Sequence, residues 1–471
     1  MLQKTVPQQT LSNEVSLKGK GLHTGHDVTI TFKPAPVNTG IVFIRVDVNP
    51  IVKIPVTIKF LASTDRRTTI AKDGVEINTV EHVLASLVGL SIDNCYIELD
   101  APEVPIMEGA SQTFVEALEK SGVQVQSQLK EEYLVTKPIA YSDPKTGGEI
   151  IVLPSNETSI HVMVDFGTSV LGTQNAKLEK IEDFATEIAS SRTFSFLHDL
   201  QTMLDKGLIK GGDLNNAIVY VDKPVTQDNL RKLHKVFGRT DIKVKPNGIL
   251  NNLELHHPNE AARHKLLDLL GDLALVGTPI KGKIIASKPG HYINSKMAQK
   301  IASTIRKERR LKMPNIDLNA KPLMDVNQIM KMLPHRPPFL FVDKIFELTS
   351  THVVGTKNVT INENFFQGHF PGAPVLPGVL QIEGMAQTGG VLVMNNYENP
   401  QDYITFFAKI ETARFKRPVF PGDTMIFSLE LLRPIRGGIS HMGGRIFVNG
   451  QVTTEAELLA KIVHRDNAPQ S

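Results

Sequence analysis

Between Gly368 and Gln387 the chain reads GHFPGAPVLPGVLQIEGMAQ, which sets one imidazole, His369, in a proline-punctuated loop and one carboxylate, Glu383, in an apolar run. From Pro377 to Met394 that run is apolar on nearly every side, so a helix made from it is expected to be buried rather than amphipathic. Pro377 suits the start of the helix, because the first turn does not need its missing N–H. A lone ionised carboxylate inside such a helix is costly, so Glu383 is expected either to be held neutral as a proton donor or to meet a cation. Pro371, Pro374 and Pro377 deny the loop regular structure and place His369 on stiff backbone near the helix start. Either residue alone suits a structural role. Together, at this spacing, they suggest an acid–base pair.

A second constellation lies far upstream. In NEAARHKLLDLLGDLALVG, His264 and Asp268 are four apart, on one face of a helix and one turn from each other, where they can share a metal ion. That spacing is common on solvated helix faces, so a site needs a third ligand from elsewhere. The helix TVEHVLASLVGL offers His82, with Glu81 beside it pointing elsewhere around the helix. Two histidines, a carboxylate and an open position describe a catalytic zinc site. No HExxH pair occurs, which disfavours an ordinary zinc protease. His256 and His257 precede Pro258 in a polar loop and read as surface residues.

The frame that must hold these groups is long. At 471 residues the chain is expected to form two or three domains. Lysine and arginine total 52 against 49 acidic residues, so no global charge suggests nucleic-acid binding. No stretch approaches a membrane span, the N-terminus has no apolar signal core, and a single cysteine, Cys95, excludes an internal disulfide; a cytoplasmic setting fits these features. The cluster RKERRLKMPNIDLNAKP marks a linker at about 303–322, between a region at 1–302 and another at 323–471. The first region mixes strands such as HDVTITFKP and GGEIIVLP with helices, an α+β pattern with a soft internal boundary near 130. The second alternates in YITFFAKIETARF and DTMIFSLELL and turns at Asn449-Gly450, which predicts an antiparallel sheet around one long helix.

The two C-terminal motifs, LPHRPPFLFVDKI at Leu333 to Ile345 and the segment holding His369 and Glu383, resemble in order and separation those of the 3-hydroxyacyl-(acyl carrier protein) dehydratases. The resemblance covers about Asp325 to His464 and implies a hot-dog fold without a cofactor. It also implies that His369 takes the α-proton of a 3-hydroxyacyl thioester while Glu383 protonates the departing hydroxyl. Glu383 would serve the His369 of a neighbouring subunit, so a homo-oligomer, a dimer or trimer of dimers, is expected through this domain. The amide of Gly378 at the helix start is the candidate to hold the thioester oxygen. Gly384 departs from the alanine more usual in the family, with an effect expected on packing. Arg414, Lys416, Arg417, Arg433 and Arg436 are candidates for docking the acidic carrier protein, although strand-edge solvation explains them equally well.

The N-terminal region carries GKGLHTG, NTVEHVLASLVGLSIDN, APEVPIMEGAS, SRTFSF, RHKLLDLLGD and KPGHYIN, which together resemble the zinc-dependent UDP-3-O-acyl-N-acetylglucosamine deacetylases of lipid A synthesis. The resemblance makes His82, His264 and Asp268 the ligands of one zinc ion and Glu81 the general base. Thr193 would stabilise the oxyanion. His291 would be the imidazolium that protonates the leaving amine, oriented by Asp272. Lys265 and Lys288 are cations suited to the substrate's polar and diphosphate groups, and Asp165 and Phe166 match uridine-contacting positions. Glu108 stands where an aspartate is common. His23 is given a substrate-proximal or structural role. The reading is of a two-enzyme fusion; a hot-dog thioesterase in the C-terminal position and a non-catalytic scaffold are the alternatives.

Overall fold

The computed structural model describes residues 1–199, 216–223, 242–251 and 253–467. The chain divides into two compact units, Met1–Glu308 and Arg309–Ser471.

The first unit uses one topology twice. Strands Val15–Lys20 and Asp27–Pro34 form a hairpin and Ile41–Arg45 and Val52–Pro55 another; Cys95–Leu99 inserts between them, antiparallel to Asp27–Pro34 and parallel to Ile41–Arg45. Strands Ile139–Asp143 with Gly148–Leu153, and Ser159–Asp165 with Thr173–Leu178, repeat the plan. Lys283–Ser287 inserts between them, antiparallel to the first hairpin and parallel to the second. In the first half helix α1 (Glu81–Gly89) precedes the inserted strand and α2 (Gln112–Ser121) follows it. In the second half α3 (Glu260–Leu273) and α4 (His291–Leu311) do the same.

Helices α1 and α3 pack directly on each other. Their approach is close enough that a Cβ on Gly271 would lie 2.0 Å from the backbone oxygen of Glu81. Two residues before α1 the chain turns sharply: Thr79 has φ of 60°, and its hydroxyl donates to Glu103 at 2.9 Å.

The soft boundary expected near 130 falls inside one continuous strand, Val123–Leu134, which pairs with Leu2–Leu11 and, at its end, with Ile280–Lys281. The two cores divide around it. One is built mainly from Leu11 through Leu118, the other mainly from Tyr133 through Ile305. The linker expected from 303 likewise begins inside a helix, because α4 runs on to Leu311. Ile301 and Ile305 bury its inner face, and near its end Glu308 accepts from the Tyr133 hydroxyl at 2.8 Å and pairs with the Met1 ammonium at 3.0 Å.

The second unit is a hot-dog: helix α5 (Gly378–Met394) packs against an antiparallel sheet. The strand order is Lys344–Leu348, His352–Asn358, Thr424–Arg436, Ile439–Val448, Gln451–His464 and Tyr403–Phe415. Ile382, Met385, Val391 and Leu392 of the helix share a core with Val353, Phe427, Leu429 and Ile446 of the sheet. Asn449 and Gly450, with φ of 48° and 78°, make the expected hairpin turn. At Gly384 a Cβ would lie 2.8 Å from the Phe427 ring, so the glycine admits a close helix–sheet contact. Met313 and Ile316, from the connecting segment, cover Val354, Ile426 and Phe447.

Candidate active sites

His82 lies in the first turn of α1, and His264 and Asp268 lie one turn apart on α3, so the α1–α3 crossing brings the three side chains together. One potential ligand atom from each falls within 4.8 Å of the others, and all three residues are buried. Asp268 Oδ1 stands 3.4 Å from His264 Nε2 and 3.7 Å from His82 Nε2. This oxygen is buried without a hydrogen-bond partner, whereas Oδ2 is engaged by Lys265 Nζ at 2.7 Å. His264 Nδ1 meets the Ser191 carbonyl at 3.0 Å and must donate to it, which leaves Nε2 with its lone pair facing Asp268. Burial lowers the His264 pKa to about 4, against the pull of Asp268, and keeps the ring neutral. Burial would raise the Asp268 carboxyl, but His264 and Lys265 beside it hold it well below the usual range. A deprotonated carboxylate with an orphaned oxygen between two imidazole nitrogens fits a divalent cation.

Around this trio sit two further acids and an imidazole. Glu81 Oε2 accepts from the Thr68 amide at 3.1 Å, and Oε1 faces His291 Nε2 at 3.9 Å. Burial pushes the Glu81 carboxyl upward, with His291 and His82 opposing. His291 opens α4 and holds Asp272 through Nδ1 at 2.9 Å. Burial alone would lower the His291 pKa, but Asp272 outweighs it and the value rises to about 9. Asp272 also accepts from the Thr68 hydroxyl and, at 2.9 Å, from Asn294. Thr68, Asn294 and Ser191 were not singled out by sequence. Asn294 and Ser191 lie inside the motifs KPGHYIN and SRTFSF, and Thr68 carries no signal of its own.

The segment after Ser191 drapes over the trio. Thr193 is fixed by its backbone, donating to Gly109 at 2.7 Å and accepting from Ile218 at 2.8 Å. The next ring, Phe194, stands edge-on to His264 at 6.3 Å and carries Lys265 Nζ at 5.6 Å from its centroid. Phe166, 40% exposed, packs edge-on against Phe194 at 5.4 Å. Asp165 and Lys288 pair at 3.2 Å, so the cation expected to meet a diphosphate has a carboxylate beside it. The Gly167 amide, and after it Lys288, hold the Asp165 carboxyl below its ordinary range.

Other residues take supporting positions. The GLHTG loop wraps the buried carboxylate of Glu103, which accepts from the amides of His23 and Thr24 and from the Thr24 hydroxyl. Glu108 accepts from the Thr113 amide at 3.1 Å and from the Thr113 hydroxyl, so the longer acid secures the first turn of α2. His256 is half exposed and bonded to the Ser190 carbonyl, outside the trio. Cys95 is buried, and its thiol is pushed up to about 12 by burial.

In the hot-dog unit His369 Nδ1 lies 2.7 Å from the Val375 carbonyl and must donate to it, which presents Nε2 as a base. Glu383, on the second turn of α5, is less buried than its apolar helix suggested, with 17% of its side chain exposed. Its Oε1 accepts from Gln387 at 2.9 Å and faces His335 Nε2 at 3.6 Å. A pocket of about 50 Å³ runs along one face of α5 past Glu383, Ala386, Gly390 and Val393 toward Met442 and Leu458. Gly378 opens α5, where first-turn amides lack intrahelical partners, and the Phe415 ring occupies the space its Cβ would need. No hydrogen bond or ion pair joins His369 to Glu383 within the chain among the described residues.

Comparison with known proteins agrees with this division. The profile of LpxC, UDP-3-O-acyl N-acetylglycosamine deacetylase, matches residues 8–237 and 238–303, and that of the FabA-like domain matches 333–457. The chain is 47% identical over 456 residues to the bifunctional enzyme LpxC/FabZ of Bacteroides thetaiotaomicron, covering 97% of this chain and 99% of that one. It is 43% identical over 466 residues to the bifunctional enzyme LpxC/FabZ of Chlorobaculum tepidum, covering 98% and 100%. To the UDP-3-O-acyl-N-acetylglucosamine deacetylase of Myxococcus xanthus it is 38% identical over 297 residues, 63% of this chain and 86% of that one. With both profiles matched in order and whole-length relatives of the same two-part build, the chain belongs to the bifunctional LpxC/FabZ family, a deacetylase joined to a dehydratase.

Proposed function

We propose that the two activities reside in two separate centres: hydrolysis of the acetamide of UDP-3-O-(3-hydroxyacyl)-N-acetylglucosamine at His82, His264 and Asp268, and dehydration of (3R)-3-hydroxyacyl-acyl carrier protein at His369 and Glu383. The observation that carries the first is the buried, unpartnered Asp268 Oδ1 between two imidazoles. Zn²⁺ bound there would supply Lewis-acid polarisation of the amide carbonyl and acidify water. Glu81 takes a proton from the attacking water. The Thr193 hydroxyl donates to the oxyanion of the tetrahedral intermediate. His291, charged through Asp272, gives its proton to the nitrogen as the C–N bond breaks, so acetate and the free amine leave. Lys265 and Lys288 meet the substrate's polar and diphosphate groups, and Phe166 offers its exposed face to the uracil beside Asp165.

In the second centre His369 Nε2 removes the α-proton, and the electron pair of that C–H bond becomes the double bond. The C–O pair leaves with the hydroxyl, which takes a proton from Glu383 and departs as water; the Gly378 amide holds the thioester oxygen. The edge strand Tyr403–Phe415 supports assembly, because it exposes Phe406, Phe407, Ile410 and Phe415 on an unpaired sheet edge. A second copy is the partner we assign to that edge. The exposed Arg414, Lys416, Arg417, Arg433 and Arg436 suit an acidic carrier protein, with Lys416 already shared with Glu455 at 3.0 Å. No helix among the described residues is long and apolar enough to cross a membrane. We place both reactions in the cytoplasm.

Two single substitutions test the assignment. His82→Ala should remove tightly held zinc and acetate release while leaving dehydration intact; Glu383→Gln should do the reverse. Loss of both activities from His82→Ala in a folded protein would refute two independent centres.

A further inference from the structure

The side-chain amide of Gln387 is fully engaged. It is 2% exposed, its Oε1 accepts from the Phe341 amide at 2.7 Å, and its Nε2 donates to the Phe339 carbonyl at 2.9 Å and to Glu383 Oε1 at 2.9 Å. The two backbone partners fix the amide's orientation, because a backbone N–H cannot meet an NH₂ group and a backbone carbonyl cannot meet the amide oxygen. Gln387 therefore always presents an N–H to Glu383. Among the described residues, the other group paired with that carboxyl is His335 Nε2, 3.6 Å from the same oxygen. Oε1 is thus the oxygen the protein holds, and Oε2 accepts no hydrogen bond within the chain among the described residues.

We propose that Gln387 is a positioning residue for the dehydratase: it pins Glu383 Oε1 to the chain so that Oε2 carries the proton to the departing hydroxyl. This deepens the assignment of Glu383 as the acid and rests on it. Gln387 is one helical turn from Glu383, so the carboxyl can rotate away only by breaking the bond to Gln387. Through Phe339 and Phe341 the same amide ties the acid to the segment following Leu333 and His335, two residues that line the pocket along α5. The acid and part of the pocket wall are therefore held in register by one side chain. When the C–O bond breaks and Glu383 becomes a carboxylate, the Gln387 N–H is already in place on Oε1 and nothing has to rearrange.

The test uses the full chain and two variants, Gln387→Met and Gln387→Glu, with an acyl thioester followed in the hydration direction. Gln387→Met removes every hydrogen bond at near-constant volume. Gln387→Glu keeps the acceptor for the Phe341 amide and places a second acid against Glu383 in place of the amide donor. Both should lower kcat by about 10–100-fold, the scale of misplacing one catalytic group, with KM held within about twofold. On the residual rate that a Glu383→Gln background leaves, measured at high enzyme concentration, Gln387→Met should cost nothing further, since its whole effect passes through the carboxyl. A kcat within about twofold of the parent in either variant would overturn the proposal. So would an equal fractional loss from Gln387→Met with and without Glu383, which marks a structural role. If Gln387→Met does not fold, Gln387→Glu decides. Should Glu383→Gln itself retain full dehydration, the reading of Glu383 as the acid fails; an inactive Glu383→Gln beside active Gln387 variants sinks only the positioning role.

Discussion

Asp272 receives hydrogen bonds from Thr68, His291 and Asn294, so both its oxygens are engaged and the carboxylate is fixed against the His291 imidazole that it charges. That gives the deacetylase a pH signature. In the acid role we propose for it His291 must be protonated, and its pKa is raised to about 9, so kcat/KM should fall as pH rises through about 9. Asp272→Asn removes the anion that raises it, and the alkaline limb should then move toward the ordinary imidazole range near 6.5. A pH–rate profile of acetate release measures the shift, and an unmoved limb would assign it to another group. At this scale the sequence is legible where function repeats a spacing. His264 and Asp268 announce themselves four apart, whereas Thr68 serves Asp272 from 204 residues away and has no neighbouring pattern to betray it.

At the scale of elements, the metal trio depends on a single crossing. Glu81 and His82 come from α1, His264 and Asp268 from α3, and Gly271 is the residue that lets the two backbones meet. Gly271→Ala would set a Cβ 2.0 Å from the Glu81 backbone oxygen, so α1 must shift and carry with it Glu81 and His82, the proposed base and one proposed ligand. Zinc retention should weaken, and deacetylation should drop by about 100-fold, the effect of roughly an ångström of misplacement, while dehydration is unchanged. Metal content after dialysis and the two specific rates measure this; an undisturbed deacetylase would show that the crossing tolerates the methyl. The helices of this crossing were readable from their apolar spacing, but their doubled topology was not. The two halves share strand connectivity, and connectivity leaves no mark on residue type. The subdomain boundary was obscured for a related reason: Val123–Gln128 form a largely exposed part of a strand, whose polar face reads like a loop. The charged end of α4 misled in the same way, since the partners that keep it helical, Met1 and Tyr133, are distant in sequence.

At the scale of the whole molecule, the two proposed centres lie in two compact units with separate cores. Both substrates carry 3-hydroxyacyl groups, yet neither product is the other's substrate, so the fusion joins two users of one acyl pool without implying transfer between them. The second copy we propose is needed at the dehydratase. Among the described residues His369 and Glu383 have their own hydrogen-bond partners, Val375 and Gln387, and none in common. If each site takes His369 from one copy and Glu383 from the other, two inactive variants should rescue each other. In a mixed dimer of His369→Ala with Glu383→Gln, one site collects both damaged residues and the other collects both intact ones. Random re-association of equal amounts makes half the dimers mixed, and one site in two of those is whole, so dehydration should return to about a quarter of the parent rate. Mixing without dissociation should restore nothing, and the recovered rate should track the mixed fraction seen by native mass spectrometry. A site built within a single chain predicts no recovery at any ratio, because no intact pair would ever form. Phe406→Asp and Ile410→Asp, placed on the exposed edge strand, should abolish both recovery and parent dehydration while acetate release continues.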